Sequence, residues 1–410
     1  MKINVIGLGY IGLPTALMLA ANGLEVVGSD INKAIINKLN NQELSFNENG
    51  ISEVFKKALE NRIKFQIEPT LADVYIIAVP TPYEKDNKKI NPEFVIAAVK
   101  NVLNQCKQKT IIVIESTISP GTVDKYVRPI IHEMEEKNGI SVHLAHAPER
   151  IIPGNMINEL INNSRVIGAD NVQVGQILRE IYEKFCKGQI VITDIRSAEM
   201  VKVVENTYRD INIAFANELL KICRYDHMDV HEIIKIANMH PRVNILQPGP
   251  GVGGHCISVD PWFLVGDYPG LANIILAARK INDSMPEFVL ERISEIMDKE
   301  QISETRKVGL YGLTYKEDVD DVRESPTLQL LDIMKKHLAQ GISVYDPFIC
   351  EKIVENQYLD FDKFIDNVDM VVIMVGHSHL KTVFDKMKDK VILDTRHVSL
   401  DKQDKHYYFL

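Results

Sequence analysis

Short apolar runs alternate with stretches of helical spacing along the first part of the chain. Each run has the length of a buried strand and is followed by glycine, proline or polar residues. This alternation predicts a parallel sheet with helices on both faces. The predicted strands are residues 2–6, 25–29, 74–79, 110–114 and 143–145.

The same alternation returns after residue 307, and two long stretches with apolar residues three and four positions apart precede it. These stretches, residues 196–225 and 271–299, predict long helices. Ser325-Pro326 predicts the start of another helix, reaching Ala339. The later predicted strands are residues 308–311, 342–345, 370–375 and 391–394.

The predicted fold class is therefore α/β, with two doubly wound Rossmann-like domains joined by a central long-helix segment. A chain of 410 residues is long enough for two or three domains. The predicted boundaries are residues 1–195, 196–300 and 301–410.

Three glycines, Gly7, Gly9 and Gly12, lie between the first predicted strand and its helix, and Asp30 ends the second strand. Such glycines permit a tight turn and let a pyrophosphate approach the helix N-terminus. An acid at this position binds ribose hydroxyls and repels a 2'-phosphate. The pattern predicts an NAD site.

Polar residues follow three other predicted strands. Thr81 and Thr117 are placed to reach a cofactor or a reacting carbon, or alternatively to cap a helix. Glu149 and Arg150 are candidates for substrate contact, or alternatively form a surface ion pair. Ser119-Pro120 has the sequence of a helix N-cap followed by proline at the first helical position, so a helix is predicted to start there.

Residues 248–261 form a loop rich in glycine and proline that carries Cys256, with Asp260 four residues later. A thiol presented near a carboxylate has the ingredients of covalent catalysis, whereas a structural turn with an incidental cysteine is the alternative.

Lys202 and Asn206 share one face of the predicted long helix. A cation and an amide donor suit the stabilisation of an oxyanion, although most helical lysines are only solvated.

Composition narrows the choice of partners and location. A net charge of −9 argues against a broad surface for nucleic acid or anionic membrane. The five scattered cysteines indicate thiols rather than a disulfide framework or a zinc site, and no metal is expected. The short apolar start does not resemble a signal peptide, and no apolar run reaches membrane-spanning length, so we expect a cytoplasmic protein.

The second α/β region lacks the three-glycine motif, so no second dinucleotide is assigned to it. Lys316, Arg323 and Arg396 lie at or beyond its predicted strand ends, where they are candidates to hold a phosphate-bearing ligand. We therefore expect a redox cofactor in the first domain and a phosphorylated substrate in the last. This arrangement predicts that the reaction takes place in a cleft between the domains.

Nearly the whole chain resembles the nucleotide-sugar 6-dehydrogenases, which include UDP-glucose and GDP-mannose dehydrogenases. The loop with His255 before Cys256 and Ile257 after it is most similar to members that oxidise UDP-N-acetyl-D-mannosamine, whereas UDP-glucose enzymes typically show a different loop. The resemblance is carried by residues 7–12, 79–82, 115–117, 148–150, Lys202 with Asn206, 240–262 and 312–326.

The resemblance implies an NAD-binding N-terminal domain, a central dimerisation helix and a UDP-sugar-binding C-terminal domain, with contact residues for both ligands. For NAD it implies contacts at Tyr10, Ile11, Asp30, Thr81, Thr117 and Arg323, which add to the glycine turn of Gly7, Gly9 and Gly12. For the UDP-sugar it implies contacts at Arg150, Ile151, Lys202, Asn206, Arg209, His240, Arg242, Gly253, Tyr315, Lys316 and Arg396. For catalysis it implies Cys256 as the nucleophile and Lys202 as the catalytic lysine. Our hypothesis adds Asn206 to Lys202 for stabilising the oxyanions, and Asp260, Glu149 and Thr117 for positioning or deprotonating the hydrolytic water.

The expected reaction is a two-step oxidation of the sugar C6 hydroxymethyl to a carboxylate, through a thiohemiacetal and a thioester on Cys256. The nearest alternative is a UDP-N-acetylglucosamine 6-dehydrogenase. A one-step NAD-dependent hydroxyacid dehydrogenase would form one NADH per substrate rather than two, and an NAD-sensing protein would turn over no nucleotide sugar. Zinc-dependent oxidation is rejected because His255 and Cys256 are adjacent rather than spaced as ligands.

Overall fold

The computed structural model describes residues 1–336, 341–398 and 406–410, and the chain divides into two compact units, Met1–Glu205 and Asn206–Leu410. The strands of the first unit are β1 Lys2–Ile6, β2 Glu25–Ser29, β3 Lys64–Gln66, β4 Val74–Ile77, β5 Thr110–Ile114, β6 Val142–His146, β7 Arg165–Ala169 and β8 Ile190–Thr193.

Helices follow most of these strands, and α8 continues into the second unit. They are α1 Gly12–Ala21, α2 Lys33–Asn40, α3 Ile51–Glu60, α4 Glu93–Leu103, a π-helical segment Val123–Val127, α5 Arg128–Asn138, α6 Met156–Asn162, α7 Val172–Tyr182 and α8 Ile195–Tyr225.

The sheet of the first unit has the strand order β3-β2-β1-β4-β5-β6-β7-β8. Its first six strands are parallel, and β7 runs antiparallel to β6. The strand order reverses between β1 and β4, and ligands of open α/β sheets bind beyond the strand ends at such a reversal. All five residues of β5 and all ten of α1 are buried, as expected when helices cover both faces of the sheet.

The second unit repeats this plan with six parallel strands in the order β11-β10-β9-β12-β13-β14. Its strands are β9 Val308–Tyr311, β10 Ser343–Tyr345, β11 Gln357–Tyr358, β12 Met370–Ile373, β13 Val391–Asp394 and β14 Tyr407–Phe409. Its helices are α9 Val230–Ala237, α10 Asp260–Asp267, α11 Asn273–Asp283, α12 Met285–Lys299, α13 Pro326–Lys336, α14 Phe361–Asn367 and α15 Leu380–Val383, with short 3-10 segments at Thr305–Lys307 and Phe384–Met387.

The predicted fold class is confirmed, since both units have the Rossmann strand order and α8 is a helix of 31 residues. The division into residues 1–195, 196–300 and 301–410 stays a prediction. The predicted helix end at Ala339 lies outside the described residues. Within the described part of the chain, no helix is both long enough and apolar enough to cross a bilayer.

Two local predictions were wrong. The stretch 271–299 forms two helices, because Pro286 cannot donate the backbone hydrogen bond that would continue α11. That helix ends at Asp283, and α12 begins at Met285 with Pro286 in its first turn. Ser119-Pro120 does not start a helix. Its residues form a turn in which the Thr122 amide donates to the Ser119 carbonyl, and Gly121 has a φ of +89°, which is incompatible with a right-handed helix.

Candidate functional site

The turn after β1 is built around glycines. Gly7 has a φ of +89°, and a Cβ atom on Gly12 would lie 1.9 Å from the Gly7 carbonyl oxygen, so only glycine fits there. A Cβ atom on Gly9 would meet nothing within 4 Å, so space is open beside the start of α1. The turn thus leaves room for a ligand at a helix N-terminus.

Asp30 holds this turn through its carboxylate. Its Oδ2 accepts the Leu8 amide at 2.7 Å and its Oδ1 accepts the Asn32 amide at 2.8 Å. The side chain is half-buried, so the carboxylate is oriented and still accessible. Tyr10, in the same turn, packs on Phe46 with ring centroids 4.5 Å apart.

The loops after β4 and β5 are joined by hydroxyl groups. The Thr81 hydroxyl donates to the Thr117 carbonyl at 2.6 Å, and the Ser116 hydroxyl donates to the Val79 carbonyl at 2.7 Å. The predicted residues Thr81 and Thr117 are therefore brought together. Thr81 links two loops rather than capping a helix.

Glu149 and Arg150 have different side-chain partners instead of forming a surface pair. Glu149 is buried, forms an ion pair with Arg165, and accepts the Arg150 amide at 2.8 Å. Arg150 pairs with Glu205 and donates to Ser164. Arg150, Glu205, Ser164 and Asn163 line a pocket of about 240 Å³, while Ile151 is buried.

Arg165 joins two buried carboxylates, those of Glu149 and Glu115. Its NH1 lies 3.2 Å from Glu115 Oε1, and its guanidinium carbon lies 4.1 Å from the centre of the Tyr182 ring. Burial raises the pKa of Glu115 to about 7, with the Arg165 charge opposing that rise and Glu149 adding to it.

The cysteine loop ends at the start of α10. The Cys256 carbonyl accepts the Asp260 amide at 2.8 Å, so one helical turn links the thiol-bearing residue to the carboxylate-bearing one. Asp260 is buried, and its Oδ2 accepts the Asn206 side-chain amide at 2.5 Å. Lys202 is only 6% exposed, so its side chain is not the solvated lysine of the alternative interpretation.

The glycines of this loop pack against residues 312–326. A Cβ atom on Gly253 would lie 2.6 Å from the Glu324 carbonyl and 2.7 Å from Tyr315 Cβ, and the Gly254 amide donates to the Arg323 carbonyl at 2.9 Å. Arg323 also chelates Asp321 through its guanidinium. Loop and partner segment are therefore packed too closely for side chains at these glycines.

A buried polar chain anchors the beginning of the loop to α8. The Gly249 amide donates to Asn217 Oδ1 at 2.9 Å, Asn217 donates to Asn282 at 2.9 Å, and Asn282 donates to Asp210 at 2.8 Å. Arg279 pairs with Asp210 at 2.6 Å. These hydrogen bonds hold the start of the cysteine loop in place against α8.

The remaining predicted substrate residues are more accessible. A Cβ atom on Gly249 would lie 2.9 Å from Arg396 NH1, which places this arginine beside the loop. Lys316 and Tyr315 are half-buried, and the exposed residues are Arg209, His240, Arg242 and Arg396.

Sequence reasoning missed three groups: Arg165, Glu199, and the pair Asp346 and His377. A lone arginine in an apolar strand was a usable signal for Arg165, because a buried charge requires a partner. Glu199, on α8, accepts the amides of Gly121 and Val123 at the start of the π-helical segment, and nothing in the sequence pointed to that contact.

No group of three metal-ligating side chains occurs in the described ranges. The five cysteines are thiols.

Comparison with known proteins identifies the family. Residues 1–186 match the model of the UDP-glucose/GDP-mannose dehydrogenase family NAD binding domain, residues 196–284 that of its central domain, and residues 309–401 that of its UDP binding domain. The chain belongs to the UDP-glucose/GDP-mannose dehydrogenase family. The predicted resemblance is confirmed, and so is the prediction of NAD as cofactor.

Three family members illustrate how similar the chain is to known proteins. A UDP-N-acetyl-D-mannosamine dehydrogenase of Methanococcus maripaludis is 43% identical over 97% of this chain and 93% of its own length. A structure of the UDP-N-acetyl-mannosamine dehydrogenase of Staphylococcus aureus has a TM-score of 0.88 and 41% identity, covering 100% of this chain and 98% of that one. An NDP-N-acetyl-D-galactosaminuronic acid dehydrogenase of Ralstonia nicotianae is 38% identical over 96% of this chain and 95% of its own length.

The residues after β1 fit the NAD of this family. The space beside Gly9 is open, the start of α1 offers amides for a pyrophosphate, and the accessible Asp30 carboxylate offers acceptors for ribose hydroxyls. The matching turn of the second unit differs. Asp346 is 2% exposed, accepts the Leu313 amide and lies 3.2 Å from His377 Nε2, so its oxygens are already engaged.

Proposed function

We propose that this protein oxidises the C6 hydroxymethyl of UDP-N-acetyl-D-mannosamine to the carboxylate of UDP-N-acetyl-D-mannosaminuronate in two NAD-dependent steps. The observation that carries the proposal is the Cys256 loop, whose thiol-bearing residue is joined by one helical turn to Asp260. Relatives named for UDP-N-acetyl-D-mannosamine at 43% and 41% identity over nearly the whole chain support the choice of sugar.

The chemistry divides between cofactor and chain. NAD, when bound, accepts a hydride from the sugar C6 in each oxidation. Cys256 attacks the C6 aldehyde as a thiolate and forms a thiohemiacetal, which still carries the hydrogen needed for the second oxidation. The product of that oxidation is a thioester, and covalent capture keeps the reactive aldehyde from escaping.

The other residues stabilise charge and handle protons. Lys202 and Asn206 stabilise the oxyanions, and losing one such donor costs roughly a hundredfold in rate. Asp260, Thr117 and Glu149 position or deprotonate the water that hydrolyses the thioester.

Binding roles follow the assignments implied by the family. We propose that residues 1–195 bind NAD and residues 301–410 bind the UDP-sugar. The proposed NAD contacts are Gly7, Gly9, Tyr10, Ile11, Gly12, Asp30, Thr81, Thr117 and Arg323. The proposed substrate contacts are Arg150, Ile151, Lys202, Asn206, Arg209, His240, Arg242, Gly253, Tyr315, Lys316 and Arg396.

We also propose a cytoplasmic homo-oligomer, at least a dimer, assembled through residues 196–300. The pools of NAD and nucleotide sugars on which the reaction draws support the location, and an exposed apolar row on α8 supports the assembly. The proposal includes no nucleic-acid, membrane or metal partner.

The test is NADH production with UDP-N-acetylmannosamine, UDP-N-acetylglucosamine and UDP-glucose side by side. We expect two NADH per UDP-N-acetylmannosamine and slower turnover of the other sugars. Cys256→Ala should abolish formation of the acid, while Cys350→Ala, which removes an exposed thiol of the same unit, should retain it. One NADH per sugar, or full turnover by Cys256→Ala, would contradict the covalent route.

A further inference from the structure

Arg165 is a buried arginine at the start of β7. It is 3% exposed, and both of its terminal nitrogens face carboxylates, those of Glu115 and Glu149. Removing a guanidinium from water is costly unless it is paired, so the two carboxylates account for its burial. The cluster holds two acids and one cation.

The sheet register brings Arg165 and Glu149 together. Strands β6 and β7 are antiparallel, with Ala145 opposite Ala169 and His146 opposite Gly168. Extending this register by three residues places Glu149 opposite Arg165. The contact is therefore set by the one antiparallel step in this sheet rather than by a flexible side chain.

Other groups face the cluster from neighbouring elements. The Tyr182 hydroxyl, on α7, donates to Glu115 Oε1 at 3.2 Å, and the Cys186 thiol lies within electrostatic range of Arg165. His146, on β6, remains uncharged at neutral pH because burial lowers its pKa to about 3.

We propose that Arg165 is a positioning residue for hydrolysis of the thioester, holding Glu149 as an oriented carboxylate, and that Glu115 competes with Glu149 for the same guanidinium. This inference rests on the proposed function. The second Glu149 oxygen accepts the Arg150 amide at 2.8 Å, so the carboxylate is fixed from two sides. A carboxylate held in this way is a geometrically defined proton acceptor.

The hydrolytic step balances without a further reactant. One O–H bond of water breaks, its proton passes to Glu149, and a C–O bond forms at the acyl carbon. The C–S bond then breaks and its electron pair leaves on the Cys256 sulfur. The step needs a proton acceptor held in one orientation, which the Arg165 guanidinium and the Arg150 amide provide for Glu149.

Three variants test the assignment: Arg165→Lys, Glu115→Gln and Glu149→Gln. With Arg165→Lys and Glu149→Gln we expect an initial burst of about two NADH per site, steady turnover at least roughly tenfold lower, and a covalent sugar adduct on the protein by intact-mass measurement. Glu115→Gln leaves the whole guanidinium to Glu149, so we expect its steady turnover to rise by about twofold and its adduct to be smaller than in the wild type.

Arg128→Lys is the matched control, because Arg128 also joins two carboxylates, Asp124 and Asp170, but at the surface. Its steady turnover and its amount of adduct should equal those of the wild type. Thermal unfolding and NAD binding verify that each variant is folded. If Arg165→Lys does not fold, Glu115→Gln decides alone.

Wild-type turnover without an adduct in the folded Arg165→Lys variant, or a steady turnover of Glu115→Gln no higher than that of the wild type, would overturn the role of Arg165. The result is distinct from failure of the proposed function. If Glu149→Gln accumulates an adduct while Arg165→Lys is fully active and accumulates none, the thioester route stands and only the proposed role of Arg165 is excluded. If Cys256→Ala keeps full turnover and no variant accumulates an adduct, the covalent thioester route of the proposed function is excluded.

Discussion

In each unit an aspartate accepts a backbone amide of the turn after the first strand, but the two carboxylates differ in how accessible they are to a ligand. The Leu8 amide donates to Asp30 and the Leu313 amide to Asp346, each directly after a glycine with positive φ, Gly7 or Gly312. Asp30 is half-buried, whereas Asp346 is enclosed and contacts His377. A shared turn geometry thus leaves only the first aspartate free to select a ribose.

Replacing Asp30 should therefore affect the cofactor more than the turn. In Asp30→Asn the side-chain oxygen can still accept the Leu8 amide, but the bond from the Asn32 amide and the negative charge are lost. We expect affinity for NAD to fall about tenfold and the preference for NAD over NADP to shrink, measured by calorimetry with both cofactors. Glu60→Gln, an exposed change on α3, should leave both affinities unchanged, and an unaltered NAD affinity in Asp30→Asn would exclude the ribose contact.

The local chemistry of these residues was largely predictable from the sequence. Gly12, Asp30, Cys256 and Asp260 lie within short motifs, where spacing alone fixes which groups become neighbours. The partner of Arg165 was not predictable, because that contact depends on β7 running antiparallel to β6. The roles of Asp346 and His377 depend likewise on burial that only the tertiary structure reveals.

At the scale of elements, a side chain of α8 accepts backbone amides at the start of the helical segment that follows β5. Glu199 accepts the amides of Gly121 and Val123, two donors that would otherwise lack helical partners. This contact explains why the helix begins after Gly121 and not at Pro120. Burial raises the pKa of Glu199 to about 7, against the two amides that lower it.

This raised pKa predicts how stability depends on pH. The folded protein binds the proton of Glu199 more tightly than the unfolded chain, whose carboxyl has a pKa near 4.5. The stabilisation of the folded state by this proton is complete below pH 4.5 and is lost as the pH rises through about 7. Between roughly pH 5 and 8 the wild type should lose about 1–3 kcal/mol more unfolding free energy than Glu199→Gln.

Urea unfolding at several pH values measures this difference. Glu115 has a pKa raised in the same direction, but it is present in both proteins and therefore cancels in the comparison. Glu133→Gln, an exposed change on α5, should follow the wild type. Parallel curves for wild type and Glu199→Gln would show that Glu199 does not titrate in this range.

Element boundaries were predictable where the apolar pattern is continuous. Strands β1, β2, β5, β9 and β13 have the predicted bounds. Strands β7 and β8 were missed, because Arg165 interrupts the first and β8 has polar neighbours and one exposed valine. The break between α11 and α12 shows that a single proline outweighs a long helical pattern.

At the scale of the molecule, the two units have the same strand order, although only the first has the three-glycine motif after its first strand. Each unit has its own buried core, and the order 3-2-1-4-5-6 is found in the first six strands of the first unit and in all six of the second. Such repetition was predictable because connections in parallel sheets are right-handed and short, which limits the possible topologies. Ligand choice was not, since it depends on single residues such as Asp346.

The long helix α8 carries an exposed apolar row in the second unit. Tyr208, Phe215, Ile222 and Tyr225 are 65%, 50%, 50% and 85% exposed, and their spacing of seven and three residues places them on one face. Aromatic and aliphatic side chains in a continuous row lower their free energy when another surface covers them. A second copy of the chain brings an identical row, and a two-fold axis allows both rows to cover each other.

We therefore expect the double variant Phe215→Asp, Ile222→Asp to dissociate the oligomer. Two buried charges on each side would lack partners in the interface, so association should weaken by at least about a hundredfold. Light scattering after size-exclusion chromatography should give the wild type at least twice the 46.5 kDa of one chain and the variant a single chain mass. Replacing exposed Lys56 and Lys57 of α3 by aspartate should leave the wild-type mass unchanged. A wild-type protein that elutes as one chain at micromolar concentration would refute assembly through α8, and the row would then need another partner.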